Sequence, residues 1–276
     1  MTHRPADAIR LLEEYSQAHG ASGHEDAVRA IFLRELRGRR FTADGLGGVL
    51  AAPAAEVAGP RVVLTAHMDE VGFLVQDITP DGFLRLTPVG GWPDGVLAAQ
   101  RLRVLARANG REFIGIVTAL PPHQGGAQAA SPDKVFVDLG VRSAHAVRAL
   151  GLREGDPVVP EAPFIPLAEP GLYAAKAFDN RAGMAALTLA IQRLDAQAPA
   201  CQALAVATVQ EEVGCRGAVV AARLAQPDVV IVLEGPPADD VPGAPGGTPQ
   251  GALGGGVQVR AYDPTAIMNP RLVDLA

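Results

Sequence analysis

With 276 residues, 48% of them hydrophobic and 20% charged, the chain has the balance of a globular protein large enough to bury a substantial core in one or two domains. A formal net charge of -6 excludes a broad electrostatic attraction to nucleic acid or to an anionic membrane surface, and points to small substrates or protein partners. Two cysteines, Cys201 and Cys215, are too few for a disulfide framework; with no signal-like N-terminus and no apolar run of roughly 18 residues, the expected address is cytoplasmic.

In chain order, residues 6–40 carry two helical patterns, DAIRLLEEYSQA and EDAVRAIFLREL, joined by HGASGHE, where Ser22 can cap the second helix. Arg34, Arg37, Arg39 and Arg40 read as the solvated end of that helix, where cations suit the dipole. GGVLAAPA and RVVLTAH follow as strands, the second a buried apolar run ending at His67. From 73 to 163 the texture changes to short β-type runs, FLVQDI, GFLRLTPV, RLRVLA, EFIGIVTAL and KVFVDL, separated by Gly, Pro and Asp, the pattern of a small all-β insert.

Helix-period segments then return, RAGMAALTLAIQRLDAQ and GAVVAARLAQ, alternating with the apolar strands ALAVATVQ and DVVIVLEG. The expected organisation is an α/β domain formed by 1–72 and 164–276, interrupted by the insert 73–163. Residues 235–256 are loop by composition. Near the end, Asn269 is a good N-cap and Pro270 a good first helical residue, but RLVDLA stops after a turn, so the sequence reads as interrupted within an element.

Several polar residues stand where apolar strands end. His67 and Asp69 are spaced i, i+2, which on a strand puts both side chains on one face and suits a metal-binding histidine and the carboxylate that orients it. An isolated pair of this kind is more often an ordinary polar strand end. Glu211 and Glu212 follow ALAVATVQ; two adjacent carboxylates there would repel unless a cation lay near, the bland alternative being a solvated turn. On a strand they would diverge, so that one could bind metal and the other act as general base. Asp179, between AAKAF and a helix starting near Arg181, could bridge two metals or be a plain N-cap. Glu234 ends DVVIVLEG. Four such polar tips on one sheet edge form a less accidental set than any one of them, because sheet-edge crevices host sites.

The blocks SGHE, AHMDEVGF, KAFDNRAG, VQEEVGCRGA and YDPTAIMNPRLVDLA resemble, in order, those of the tetrahedral aminopeptidases of metallopeptidase family 42. The resemblance implies an α/β, phosphorylase/hydrolase-like catalytic domain with a small β-barrel-like dimerisation insert, and assembly into a dodecameric cage. It implies two divalent metal ions, zinc or cobalt: His67, Asp179 and Glu234 would hold one, Asp179 and Glu212 the second. Asp69 would orient His67, Glu211 would be the general base, and Asp179-Asn180 would be a cis peptide. Glu234 stands where many relatives have Asp.

Family members run on for further elements that supply a histidine to the second metal, and no histidine here matches its context. The second site is therefore expected to be weakened and the C-terminal elements to be missing. The expected substrates are peptides, with other copies of this chain as partners and neither nucleic acid nor membrane. Two other classes remain: a non-catalytic oligomerising subunit, and a glycoside hydrolase. The second is disfavoured because Glu211 and Glu212 are adjacent and one tryptophan, Trp92, offers little for stacking sugars.

Overall fold

The two N-terminal apolar patterns form α1 (Pro5–Gln17) and α2 (Asp26–Glu35), which bury Leu11, Tyr15, Val28 and Phe32. The computed structural model describes residues 5–93, 95–118, 123, 134–197, 199–243 and 249–276. It divides into two units, residues 1–235 and 236–276. The expected cap of α2 is not made. Glu25 occupies the N-cap position without a side-chain cap bond, and the Ser22 hydroxyl is used elsewhere.

Nor is the basic cluster one solvated helix end. α2 stops at Glu35, and Arg39 is buried, donating to the carbonyls of Ala51 and Ala203 and pairing with Asp195 at 2.6 Å. The helical spacing that made these arginines look like one face lapses where the chain turns into β1 (Arg40–Ala43) and β2 (Val49–Ala52), an antiparallel pair. β3 (Arg61–His67) follows.

The next strands are β4 (Gly72–Ile78), β5 (Phe83–Val89), β6 (Arg101–Ala106), β7 (Arg111–Thr118) and β8 (Phe136–Asp138). With β9 (Pro157–Pro160), which follows the short helix α3 (Ala144–Ala149), they close a barrel in the order β4-β5-β8-β7-β6-β9. Closure leaves no free sheet edge among the described residues of the barrel, and alternate side chains fill the interior: Phe73, Leu84, Leu86, Leu102, Val104, Val137 and Val158. Ala119 and Leu120, read as the end of one strand, lie outside the described residues.

A short hairpin, β10 (Ile165–Pro166) and β11 (Tyr173–Ala174), leads to α4 (Phe178–Gln197), β12 (Gln202–Thr208), α5 (Arg216–Ala225) and β13 (Val229–Val232). The main sheet has the order β1-β2-β12-β3-β13, with β12, β3 and β13 mutually parallel. Period-two alternation along β12 assigns its two faces. Ala203, Ala205 and Ala207 pack under Met184, Leu187 and Ile191 of α4, whereas Leu204 and Val206 meet Ala221 and Ala225 of α5. Small residues on one face thus let α4 approach closely, and burying Leu187 or Ile191 contributes about 1.5–3 kcal/mol each. This is an α/β fold, as the alternating pattern implied. β13, read as a buried strand, is the sheet's edge instead: among the described residues it pairs only with β3, and Val230, Ile231 and Val232 are 45–60% exposed.

In the unit 236–276, β14 (Tyr262–Asp263) and β15 (Ala266–Ile267) form a hairpin whose turn is closed by Asp263 Oδ1, accepting from the Thr265 and Ala266 amides. α6 (Pro270–Val273) begins with Asn269 as a side-chain N-cap, accepting from the Arg271 amide at 3.0 Å, and with Pro270 in the first turn. Within 236–256, the described residues form turns and loop; 244–248 lie outside them. No helix among the described residues is long and apolar enough to cross a membrane.

Candidate metal centre

Three parallel strands deliver side chains to one edge of the sheet. His67 is the last residue of β3, Glu211 and Glu212 lie in the turn after β12, and Glu234 follows β13 by two residues. Carboxyl edges of parallel strands are where an open α/β sheet leaves room for a ligand. Asp179 reaches the same place from a different element, the start of α4, where Asp179 and Asn180 have non-helical backbone angles and the peptide between them is cis.

Asp179 is not the cap of α4; its neighbour is. Asn180 Oδ1 accepts the Gly183 amide at 3.0 Å, so Asn180 caps the helix and the Asp179 carboxylate is left to face His67. Asn180 Nδ2 also donates to the Leu233 carbonyl at 2.8 Å, tying the Asp179 segment to the chain beside Glu234. Gly183 is required in this approach, because a Cβ there would lie 2.1 Å from Asn180 Oδ1 and 2.6 Å from the Leu233 oxygen.

His67 is the hub. Its Nε2 lies 3.0 Å from Asp179 Oδ1, 3.3 Å from Glu234 Oε1 and 3.9 Å from Glu211 Oε2. Two groups of donors within 4.8 Å of one another result, His67–Asp179–Glu234 and His67–Glu211–Glu212. Burial opposes a charge on His67, but hydrogen bonds to Asp179, Asp69 and Glu234 outweigh it and push the imidazole up to about 12. Burial, and then repulsion from Asp179, push Glu212 up to about 7. Four carboxylates around one imidazole leave an excess of negative charge even with His67 protonated. A mixed imidazole and carboxylate set with that imbalance fits a divalent ion.

Asp69 does more than was read from its spacing. β3 ends at His67, so the two residues do not share a strand face; His67 Nδ1 lies 3.1 Å from the Asp69 carbonyl and 3.4 Å from its carboxylate. The fully buried carboxylate accepts the Glu211 amide at 2.9 Å, the Glu212 amide at 3.1 Å and the Ser22 hydroxyl at 2.6 Å. Burial alone would raise its pKa, but His67, Ser22 and the Glu211 amide hold it below the usual carboxylate value. Glu211 and Glu212 do not diverge as strand neighbours would: β12 has already ended at Thr208, their turn is pinned by Asp69, and each offers an oxygen to one group with His67 whose atoms lie within 4.8 Å of one another.

Behind the site lies a charged cluster that no spacing announced. Glu70 Oε1 accepts from Lys176 Nζ at 2.6 Å and from Arg181 Nη2 at 3.0 Å, all three side chains being buried. Lys176 and Arg181 also donate to the Ala18 carbonyl, and Arg181 to that of Tyr15. Glu70 and Lys176 sit within AHMDEVGF and KAFDNRAG, the only signal that could have found them. The cluster joins the segment after His67 to the segment before Asp179.

One imidazole and four carboxylates brought together at a sheet edge form the kind of donor set that divalent-metal hydrolases use. The family model of the M42 glutamyl aminopeptidases matches residues 47–276, and the chain belongs to that family. It is a metal-dependent aminopeptidase. It is 34% identical over 272 residues to the glutamyl aminopeptidase of Lactococcus lactis subsp. cremoris, covering 96% of this chain and 74% of that protein. Among solved structures it matches aminopeptidase APDkam598 of the archaeon Desulfurococcus kamchatkensis with a TM-score of 0.83 and 31% identity, over 90% of this chain and 68% of the other. The TET1 peptidase of Pyrococcus horikoshii, described as assembling into a tetrahedron or a large octahedral shell, matches with a TM-score of 0.75 and 27% identity, over 85% and 72% of the two chains.

Proposed function

We propose that this aminopeptidase releases the N-terminal residue of peptides at the His67 cluster. In this reading His67, Asp179 and Glu234 hold one divalent ion, zinc or cobalt, and Asp179 and Glu212 contribute to a second, more weakly held one. Asp69 orients both His67 and the Glu211–Glu212 turn. The observation that carries the reading is that His67 Nε2 faces carboxylates from three separate elements within 4 Å. The more weakly held second ion is supported by the donor sets: among the described residues, Asp179 and Glu212 fall in different groups that share His67.

The bound ions would acidify a water and polarise the scissile carbonyl. Glu211 is the general base. Its Oε1 accepts the Cys215 thiol at 3.2 Å, which leaves Oε2, on the His67 side, to take the proton of the attacking water and pass it to the leaving amine. Asp179, Glu211 and Glu234 are partly exposed, as residues meeting a substrate must be, whereas His67 and Asp69 are closed off and fixed.

Removal of the metals with a chelator should abolish hydrolysis of aminoacyl-anilides, and zinc or cobalt should restore it. Glu211→Gln should lower kcat by about 10²–10⁴-fold with metal still bound. A Glu211→Gln protein that keeps near-parental kcat would sink the assignment of the base.

The chain division read from sequence, with the barrel as a self-association module, belongs to the same proposal. Ile114 and Ile116 project outward from β7 at 48% and 46% exposure, apolar surface suited to a second copy. Pairing of these faces would give a dimer, the unit from which a closed shell like that described for the Pyrococcus horikoshii peptidase could be built through further contacts; light scattering showing only monomers would refute it. Two unpaired cysteines fit a reducing, cytoplasmic setting.

A further inference from the structure

Three successive amides of the turn that carries both glutamates are captured by two buried carboxylates. Gln210 donates to Glu25 Oε1 at 3.3 Å, Glu211 to Asp69 Oδ1 at 2.9 Å and Glu212 to Asp69 Oδ2 at 3.1 Å. Gln210 has a φ of 55°, in the left-handed region that a side-chain-bearing residue keeps only when its surroundings hold it. The turn therefore depends on its captors, and both captors depend on the segment between α1 and α2. Glu25 belongs to that segment and is itself fixed by the Gly23 amide at 2.7 Å. Asp69 is held by the Ser22 hydroxyl at 2.6 Å, with its own carboxylate fully buried.

We infer that Ser22 is a positioning residue for hydrolysis: through Asp69 it sets the Glu211–Glu212 turn, while Glu25 secures the other end of that turn at Gln210. Ser22 contributes no cap to α2, so helix stability does not account for its placement. The inference rests on the reading of Glu211 as general base and Glu212 as a metal ligand. Its effect is on where the two carboxylates point, and hence on turnover and metal affinity more than on substrate binding.

The test compares Ser22→Ala, Ser22→Thr, Glu25→Ala and Glu211→Gln in the full chain. Ser22→Ala is expected to lower kcat by about 10–100-fold, the usual effect of losing a partner that orients a site residue, with KM changed less than about twofold. Zinc titrated alone into metal-free protein should bind about tenfold more weakly at the site that includes Glu212. Ser22→Thr, which keeps the hydroxyl, should recover most of both, and Glu25→Ala should also lower kcat.

Parental kcat and zinc affinity in Ser22→Ala would overturn the inference. So would equal impairment of Ser22→Thr and Ser22→Ala. If Ser22→Ala does not fold, Ser22→Thr and Glu25→Ala decide: a Glu25→Ala protein with parental kcat overturns it. An inactive Glu211→Gln beside an unimpaired Ser22→Ala refutes this inference alone, whereas an active Glu211→Gln refutes the reading beneath it.

Discussion

Replacing Glu70 by Gln removes the one carboxylate between two buried cations while preserving its volume. Lys176 and Arg181 are both buried, and each spends a donor on Glu70 Oε1. Breaking a buried ion pair by removing one partner costs about 3–5 kcal/mol, because a charge is left without compensation. Arg181 cannot shed its proton. Lys176 can: even with Glu70 present, burial holds it down to about 8, against an ordinary value of 10.5.

The sign follows from that depression. Between pH 8 and 10.5 the unfolded parent binds more protons than the folded one, so its stability rises with pH across this window. Without Glu70 the lysine falls further and the window opens at lower pH. The variant should therefore lose about 6–10 °C of melting temperature at pH 6, taking about 2 °C per kcal/mol, and distinctly less at pH 9, where Lys176 is already largely neutral in the parent. Thermal melts followed by circular dichroism at the two pH values measure this. A loss below about 2 °C at pH 6, or equal losses at both, would refute the account.

Two further perturbations test separate parts of the fold. His19 is buried with neither ring nitrogen bonded to a protein group, and burial, reinforced by Lys176 and Arg103, holds its pKa down to about 3. As the unfolded imidazole titrates near 6.5, its contribution to stability falls by up to about 1.4 kcal/mol per pH unit below 6.5; His19→Leu should flatten the acid limb of the stability profile, and an unchanged limb would contradict this. Gly183→Ala forces a methyl against Asn180 Oδ1 and the Leu233 carbonyl, so it should cost about 1–3 kcal/mol in denaturant titration and lower kcat by displacing Asp179. A stable, fully active Gly183→Ala would show that the approach of α4 to Leu233 can relax.

Local patterns carried much of this chain because they depend on residues close in sequence. The periodicity of α1, α2, α4 and α5 and the apolar runs of β3 and β12 are read directly, as is the N-cap at Asn269. Misreadings arose where a local pattern needed a distant partner to give it meaning. DVVIVLEG has the hydropathy of a buried strand, but burial is conferred by a neighbour, and β13 has one on a single side among the described residues. Ser22 looks like a cap because it precedes a helix; the Asp69 carboxylate, 47 positions away, claims its hydroxyl instead.

The residue types of the site and their association with strand ends were determined by the sequence alone: His67, Asp69, Asp179, Glu211, Glu212 and Glu234 are all of the kinds that bind metal or move protons. Only the tertiary structure decided how they are held. Asn180, not Asp179, caps α4; a buried carboxylate holds the turn that brings Glu211 and Glu212 together beside His67; and Glu70, Lys176 and Arg181 join segments about a hundred residues apart. The reason is that hydrogen bonds and ion pairs form between groups brought together by the folding of the sheet, and their partners leave no periodic trace in the chain.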